Sequence, residues 1–426
     1  MLTTRPRGTS DILPPDSAAW QELERVAREH CARYAYSEIR TPTFEHSELF
    51  ERGIGEGTDI VEKEMYTFLD RAERRLTLRP EGTAGVARAF IENGLHNTAQ
   101  PVKLFYLGLP IFRYERPQAG RLREHHQFGV EAFGSDDPAL DAEVIDLAYQ
   151  FLTSLGLREL EVHLNSIGCS QCRARYREVL REYYLPHETE LCPDCRRRLD
   201  NNPLRLLDCK VESDQQLAAK APALRDWLCQ SCRDHAERLN DFLTILNIPV
   251  EQNATIVRGL DYYTKTVFEI RHQRLGAQST VCGGGRYNGL IKQLGGPDVP
   301  GIGFGMGMER LLITLAEERI ELRPAQGIDC YLATVGEGVR RTAISLLQKL
   351  RRQGLRCELD YLQRGLKGQL KQADRLGARW VLLCAEEELQ QGKVVLRSMR
   401  SGRQTPLELS DVDRSSMERL GEALDE

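Results

Sequence analysis

Arginines and carboxylates at two-residue spacing mark the stretch from Phe105 to Glu131, FYLGLPIFRYERPQAGRLREHHQFGVE, as a place where this chain can do chemistry. Residues two apart in a strand share a face, so Arg113 and Glu115 are expected to project together, as are Gln127, Gly129 and Glu131. Phe112, Tyr114, Phe128 and Val130 would then pack behind them. Between the two runs Arg116, Arg121 and Arg123 are flexible cations that can fold over a polyanion. Two readings fit this surface. It is the solvated side of an antiparallel sheet, or it is a ligand site, which Gly129 favours by clearing space between Gln127 and Glu131.

Four other stretches carry comparable signals. In RRLTLRPEGTAGVARAFIEN, Glu81 and Thr83 fall where a strand gives way to a helix opening at Gly82 or Thr83, and can either cap that helix or reach a ligand beside the sheet. In IVRGLDYYTKTVFEI, Arg258 and Gly259 precede a strand marked by Val267, Phe268 and Ile270, so a tight turn can bring the arginine and the adjacent Tyr262 and Tyr263 into a pocket, or an Arg258–Asp261 pair can hold the turn. In GIGFGMGMERLLITL, glycines at 301, 303, 305 and 307 leave one strand face without side chains, where a flat aromatic group can lie on the backbone, and Arg310 opens the following helix. Three Cys-x-x-Cys pairs, Cys169/Cys172, Cys192/Cys195 and Cys229/Cys232, with Cys209 among them, have the spacing of tetrahedral zinc ligands. Reduced thiols packed as small apolar side chains are the alternative, and which pairs would share a metal stays open.

The elements that must position these groups follow from periodicity. Alternation through Ile111–Glu115 and His126–Phe133, broken by Pro117 and Gly120, predicts an antiparallel hairpin with a long basic tip. Asp16 can cap a helix reaching Tyr34, with Trp20, Leu23, Ala27, Cys31 and Tyr34 on one stripe. Pro42 confines the next strand to an edge or a kink. After Pro324, strands at IDCYLATV, CELDY, RWVLLCA and KVVLRSM alternate with helices near Ala343–Arg352 and Leu366–Leu376, which predicts a separate small α/β domain. There Lys367, Lys371 and Arg375 share a helix face, either solvated or a binding stripe.

Composition narrows the class without deciding it. The 426 residues suit about three domains. At 41% hydrophobic, 28% charged and a net charge of -5, nothing announces nucleic acid, although a large polyanion can touch one local basic face. No stretch approaches the ~18 apolar residues of a membrane span, and the N-terminus lacks a signal-peptide core, so a cytoplasmic protein with reduced thiols is expected.

FRYERP with its arginine loop and the HQFGVE strand resemble motif 2 of the class II aminoacyl-tRNA synthetases, and the wording is similar to that of the histidyl family. RPEGTA, RGLDYYT, CGGGRYNGL and the glycine run ending in MER resemble, in turn, that family's amino-acid-binding segment, its two histidine motifs and motif 3. The resemblance covers nearly the whole chain, most weakly through the cysteine-rich part. It implies an α+β catalytic domain with a mostly antiparallel sheet, interrupted by a helical insertion and followed by an α/β anticodon-binding domain. The expected division is 1–164 and 254–325 for the catalytic domain, 165–253 for the insertion and 328–426 for the anticodon-binding domain.

The same resemblance implies a ligase that forms histidyl-adenylate from histidine and ATP with Mg2+, then charges the terminal adenosine of tRNA(His), working as a homodimer through motif 1. Glu81 and Thr83 would hold the amino group of histidine. Glu131 and Tyr263 would read its imidazole, with Gln127, Tyr262 and Tyr287 against the substrate. Arg113 and Arg258 would flank the alpha-phosphate, Arg121, Arg123 and Arg310 the outer phosphates, and Glu115 would accept from the adenine amino group. His125 stands where the family usually has an aromatic ring stacked on adenine; imidazole covers less area and ordinarily titrates near ~6.5. A structural zinc on Cys169, Cys172, Cys192, Cys195, Cys229 and Cys232 is compatible with the family but not required by it. The rival reading is an inert paralogue such as the regulatory subunit of ATP phosphoribosyltransferase. Those paralogues typically lack the C-terminal domain and motif residues, whereas this chain keeps Arg113, Arg258, Arg310 and the C-terminal domain.

Overall fold

The computed structural model describes residues 3–55, 58, 60–117, 122–209, 211–256, 260, 262–273, 280–322 and 327–425. They divide into two compact units, Met1–Leu322 and Arg323–Glu426.

The first unit is built on an eight-stranded sheet in the order Ser37–Glu38, Val102–Phe112, Glu124–Phe133, Gly301–Gly307, Thr280–Arg286, Thr264–His272, Leu160–Ser166, Val250–Gln252. Only the two outermost pairings are parallel; the rest are antiparallel. Alternation gives each strand a greasy face: Phe128, Val130 and Ala132 point the same way as Ile302, Phe304 and Met306. That face is covered by the helices Asp16–Arg33, Pro138–Ser154, Gln230–Ile245 and Met308–Glu317, through Trp20, Leu23, Ala27, Cys31, Leu147, Leu239 and Leu311 among others. Trp20, Leu23, Ala27 and Cys31 are buried as their spacing predicts. Asp16 lies in the first turn of its helix instead of capping it; Pro15 occupies the cap position.

The opposite face holds Leu104, Tyr106, Leu109, Ile111 and Phe133. Parity switches along the strand Val102–Phe112, since residues 104 and 106 and then 109 and 111 face the same side. The cause is a bulge between Tyr106 and Leu109, where Gly108 takes φ +62°. One extra residue re-aims everything after it, so Arg113 comes to the same side as Tyr106. The regular strand ends at Phe112 instead of running to Glu115, though Arg113 N–H still bonds the Arg123 carbonyl at 2.9 Å. Tyr114 is exposed and does not pack behind the sheet as expected: its ring meets Tyr66 and carries the Arg123 guanidinium 4.2 Å from its centre.

A small sheet of Phe44–His46, Arg75–Leu78 and Tyr66–Leu69 flanks the site. Arg79, 4% exposed, ties it down by donating to the carbonyls of Thr41, Pro42 and Pro110 at 2.7–2.8 Å. Between the strands Leu160–Ser166 and Val250–Gln252 run the helices Ser170–Tyr184, Pro193–Asn201, Glu212–Ala218 and Gln230–Ile245. The last of these returns to the large sheet, burying Leu239 and Leu243 in its core.

The second unit is a five-stranded sheet ordered Cys357–Leu359, Cys330–Val335, Trp380–Ala385, Lys393–Ser398, Gln404–Glu408. Its first three strands are parallel and the last two antiparallel. Helices Val339–Arg352 and Arg414–Asp425 pack on one face through Leu346, Leu350 and Met417, and Leu366–Arg375 packs on the other through Leu370 and Ala373. The predicted α/β alternation is present, with the strand Gln404–Glu408 and the final helix added. Lys367, Lys371 and Arg375 are exposed. Among the described residues no helix is long and apolar enough to cross a membrane.

Candidate active site

Two adjoining cavities open on the glycine-lined face of the large sheet. The inner one, about 90 Å³, is lined by Glu81, Thr83, Tyr106, Gln127, Tyr262, Tyr263 and Tyr287. The outer one, about 260 Å³, is lined by Glu115, His125, Thr280, Gly305, Gly307, Glu309 and Arg310. Arg113 and Gln127 line both. Arg113 is held at that junction by its Nε, which donates to the Pro80 carbonyl at 2.8 Å.

Glu131 sits beneath the inner cavity, 1% exposed. Three hydroxyls donate to it: Thr83 Oγ1 to Oε1 at 2.7 Å, Tyr106 to Oε1 at 3.4 Å, and Tyr287 to Oε2. None of these donors is charged, so burial wins: the carboxyl is pushed up to about 8, against the lowering effect of the hydroxyls. Burial, with the Glu131 charge next, drives Tyr287 and Tyr106 well above the ordinary phenol range, so both keep their protons to donate. Glu81 caps the helix and also lines the cavity. Its carboxylate accepts the Thr83 and Ala84 amides at 2.7 and 2.6 Å, capping the helix Thr83–Glu92, and it lines the inner cavity. Burial pushes its carboxyl up too.

The glycines serve these side chains more than a bound ring. Gly303 pairs with Glu131 across the sheet, and a Cβ there would overlap the carboxylate; one at Gly305 would overlap the Gln127 amide, and one at Gly301 the Tyr287 ring. Most of the glycine stripe is therefore filled by protein, and the part open to a flat ligand is its Gly307 end, on the wall of the outer cavity. Gly129 likewise makes way for the Tyr106 hydroxyl rather than for a ligand, and Gly82 for the same ring, which a Cβ there would overlap. Cys282–Arg286 forms strand, in which Gly284 allows the close approach of Gly303, and the turn comes after it at Asn288–Gly289.

In the outer cavity Arg310 donates to the Thr280 carbonyl at 3.1 Å. The Glu309 carboxylate accepts both the backbone amide of His126, at 3.0 Å, and its Nδ1, at 2.8 Å, which fixes the helix Met308–Glu317 to the hairpin. His125 does not titrate near 6.5: burial, and then the Arg113 charge, take it down to about 4, so the ring is neutral at physiological pH.

Arg123, Arg116 and the paired cysteines stand apart from this group. Arg123 lies over Tyr114 and donates to the Glu115 carbonyl, away from the outer cavity's wall. Arg116 is exposed. Arg121 and Arg258, with Gly259 and Asp261, lie outside the described residues. The cysteines gather in the helical segment, not as one site but as two clusters: Cys169, Cys172, Cys229 and Cys232, and Cys192, Cys195 and Cys209 with Asp214. Sequence reading missed Tyr106 and Glu309. Tyr106 lies before the bulge, and a parity count from Arg113 puts it on the wrong face. Glu309 adjoins Arg310 in the MER triplet, which was the available signal.

A model of the family described as histidyl-tRNA synthetase matches residues 8–311, and one described as an anticodon binding domain matches residues 329–415. Proteins named histidine–tRNA ligase from Desulforamulus reducens and Moorella thermoacetica are 53% and 55% identical over 412 residues, which is 97% of this chain and 98% and 97% of theirs. The apo histidyl-tRNA synthetase of S. aureus superposes with a TM-score of 0.83 at 39% identity, covering 100% of both chains. A Bacillus halodurans structure described as an ATP phosphoribosyltransferase regulatory subunit/histidyl-tRNA synthetase superposes at 0.65 with 24% identity over 90% of this chain, a likeness of fold alone. The large, mostly antiparallel sheet, the separate C-terminal sheet and the full-length identities agree, and the chain belongs to the histidyl-tRNA synthetase family.

Proposed function

We infer that this chain is a histidine–tRNA ligase: it activates histidine with ATP, releasing pyrophosphate, and passes the histidyl group to the 3′ end of tRNA(His). The observation that carries the reading is a carboxylate, Glu131, buried under a small polar cavity that shares Arg113 with a larger one. Once it gives up its proton, as an N–H-donating or cationic ligand favours, the carboxyl offers about four lone-pair positions. Thr83, Tyr106 and Tyr287 occupy three, which leaves one for a ligand N–H, such as that of an imidazole. A side chain that cannot donate there strands a buried acceptor, and that mismatch alone discriminates by ~10^4 or more. Tyr263, on the same cavity wall, would meet the second imidazole nitrogen, while Glu81 and Thr83 would receive the amino group.

Activation needs no strong base, since the attacking group is already a carboxylate; it needs two anions held in line and charge neutralised on the phosphate. Arg113 stands where the two cavities meet, the position for the alpha-phosphate, and Arg258 would flank it from the other side. Arg310 would take the outer phosphates with Arg121, and Arg123 once turned off Tyr114. Glu115 would accept from the adenine amino group, with His125 against the base. Magnesium takes oxygen ligands, commonly one or two carboxylates with substrate phosphates, and Glu309 on the outer wall fits that need. Bound there, the ion supplies charge neutralisation at the phosphate oxygens.

The reading includes a catalytic domain of residues 1–164 and 254–325, an insertion at 165–253 and an anticodon-binding domain at 328–426. It also includes a homodimer, a cytoplasmic location, and structural zinc in the insertion. Charging of a tRNA(His) transcript with labelled histidine tests it: a charged 3′ end on that tRNA and not on others is expected, and its absence with active, folded protein would refute the reading.

A further inference from the structure

Four thiols converge at the base of the helical insertion. Cys169 precedes the helix Ser170–Tyr184 and Cys172 lies in its first turn; Cys229 and Cys232 stand in the same relation to the helix Gln230–Ile245. Their sulfurs lie within 4.8 Å of one another, and Cys169 Sγ is 3.6 Å from Cys172 Sγ. A disulfide would need ~2.05 Å, and all of these cysteines are free. A tetrahedron with metal–sulfur bonds of ~2.3 Å has edges of ~3.8 Å, close to the separation seen. Thiols packed only as small apolar groups would each meet carbon; here they meet one another.

The second cluster, formed by the segment between those two helices, has the same construction. Cys192 precedes the helix Pro193–Asn201 and Cys195 lies in its first turn. Cys209 Sγ is 3.9 Å from Cys192 Sγ and 3.3 Å from Asp214 Oδ2, and all four ligand atoms lie within 4.8 Å. Asp214 is 1% exposed, an acid placed among thiols rather than in solvent. Backbone amides point at the sulfurs in both clusters: Cys229 N–H to Cys172 Sγ at 3.1 Å, Cys195 N–H to Cys192 Sγ at 3.4 Å, and Val211 N–H to Cys209 Sγ at 3.5 Å. Such donors support thiolate charge beside a metal.

We propose that the insertion binds two structural zinc ions, one on Cys169, Cys172, Cys229 and Cys232 and a second on Cys192, Cys195, Cys209 and Asp214. Soft thiolates in a closed tetrahedral set select zinc, and with four protein ligands neither site keeps an open position for chemistry. Each thiol releases its proton to solvent as it binds. The first ion clamps the place where the insertion leaves and rejoins the large sheet; the second ties the start of the helix Pro193–Asn201 to Cys209 and to Asp214 in the helix Glu212–Ala218. This proposal does not rest on the ligase reading, because the clusters lie outside both cavities of the site.

The test is metal analysis of the full chain purified without chelator from zinc-supplemented cells, with thiols counted in denaturant. About two zinc per chain is expected from two closed sites, with all twelve thiols reactive after zinc is stripped. Cys232→Ser and Cys195→Ser should each remove about one ion, and Asp214→Asn should weaken only the second site. Should these variants fail to fold, cobalt exchange into the wild-type chain decides, since both sites should give the charge-transfer and d–d absorption of tetrahedral thiolate–cobalt. Less than about half a zinc per chain, or a thiol deficit from disulfides, would overturn the proposal, and a stoichiometry near one would overturn its second site.

Discussion

The carboxylate of Glu131 lies against the bare backbone of Gly303, its partner on the neighbouring strand, so that one residue's lack of a side chain fixes the position of the other's. Gly303→Ala would therefore displace the carboxylate without removing it. Overpacking a buried site costs about 1–3 kcal/mol. Histidine-dependent ATP–pyrophosphate exchange should lose about 10^2-fold or more in kcat/KM for histidine, because small misplacements are expensive, with the KM for ATP little changed. Equal losses for both substrates would show that the glycine serves the whole sheet and not the inner cavity.

Glu131 also makes stability depend on pH in a defined window. Its folded-state value, about 8, lies above the ordinary glutamate value of 4.5. A group raised in this way contributes stability that is fully present below 4.5 and is lost as pH rises through 8. Between pH ~6 and ~8 the loss is about 2–3 kcal/mol at most, and Glu131→Gln should not share it. Urea midpoints of the two proteins should lie close together at acid pH and separate as pH rises, the wild type falling below the variant. Parallel curves would contradict the burial argument.

His125 has the opposite sign. Its value is depressed to about 4, so its contribution is present above ~6.5 and lost as pH falls toward 4. The KM for ATP should be flat between pH ~6 and ~8, because the ring does not charge there. His125→Phe should lower the KM for ATP about 2–10-fold, the order of an aromatic stacking gain, and remove the acid sensitivity. A KM that changes near pH ~6.5 in the wild type and not in the variant would return the charge to the binding step.

Much of this was legible because the signals were local. Alternation located the hairpin, the glycine stripe, and the placing of Gln127 and Glu131 on one face, and it also located the α/β pattern of the C-terminal unit. What stayed hidden was non-local or depended on a single residue. The bulge at Gly108 inverts strand parity and conceals Tyr106, and no periodicity count reveals which strand will take up an extra residue. Gly129 and Gly303 announced close approach, but a sequence cannot say whether a ligand or a neighbouring side chain comes near. The pairing of the first and third Cys-x-x-Cys motifs, across 57 residues from Cys172 to Cys229, depends likewise on how the insertion folds back.

The two compact units predict separable activities. A chain ending before residue 327 should retain histidine-dependent exchange, whose residues all belong to the first unit. Charging of tRNA(His) should fall by about 10^2-fold or more, as a second tethered contact is lost. Undiminished charging by the shortened chain would remove tRNA recognition from the second unit's role.

The most direct measurement is ATP–pyrophosphate exchange by the purified chain with each of the twenty amino acids in turn. Exchange with histidine alone is predicted, abolished or nearly so in Glu131→Gln. Exchange supported by another amino acid, or none with any of them from folded protein that binds ATP, would contradict the account.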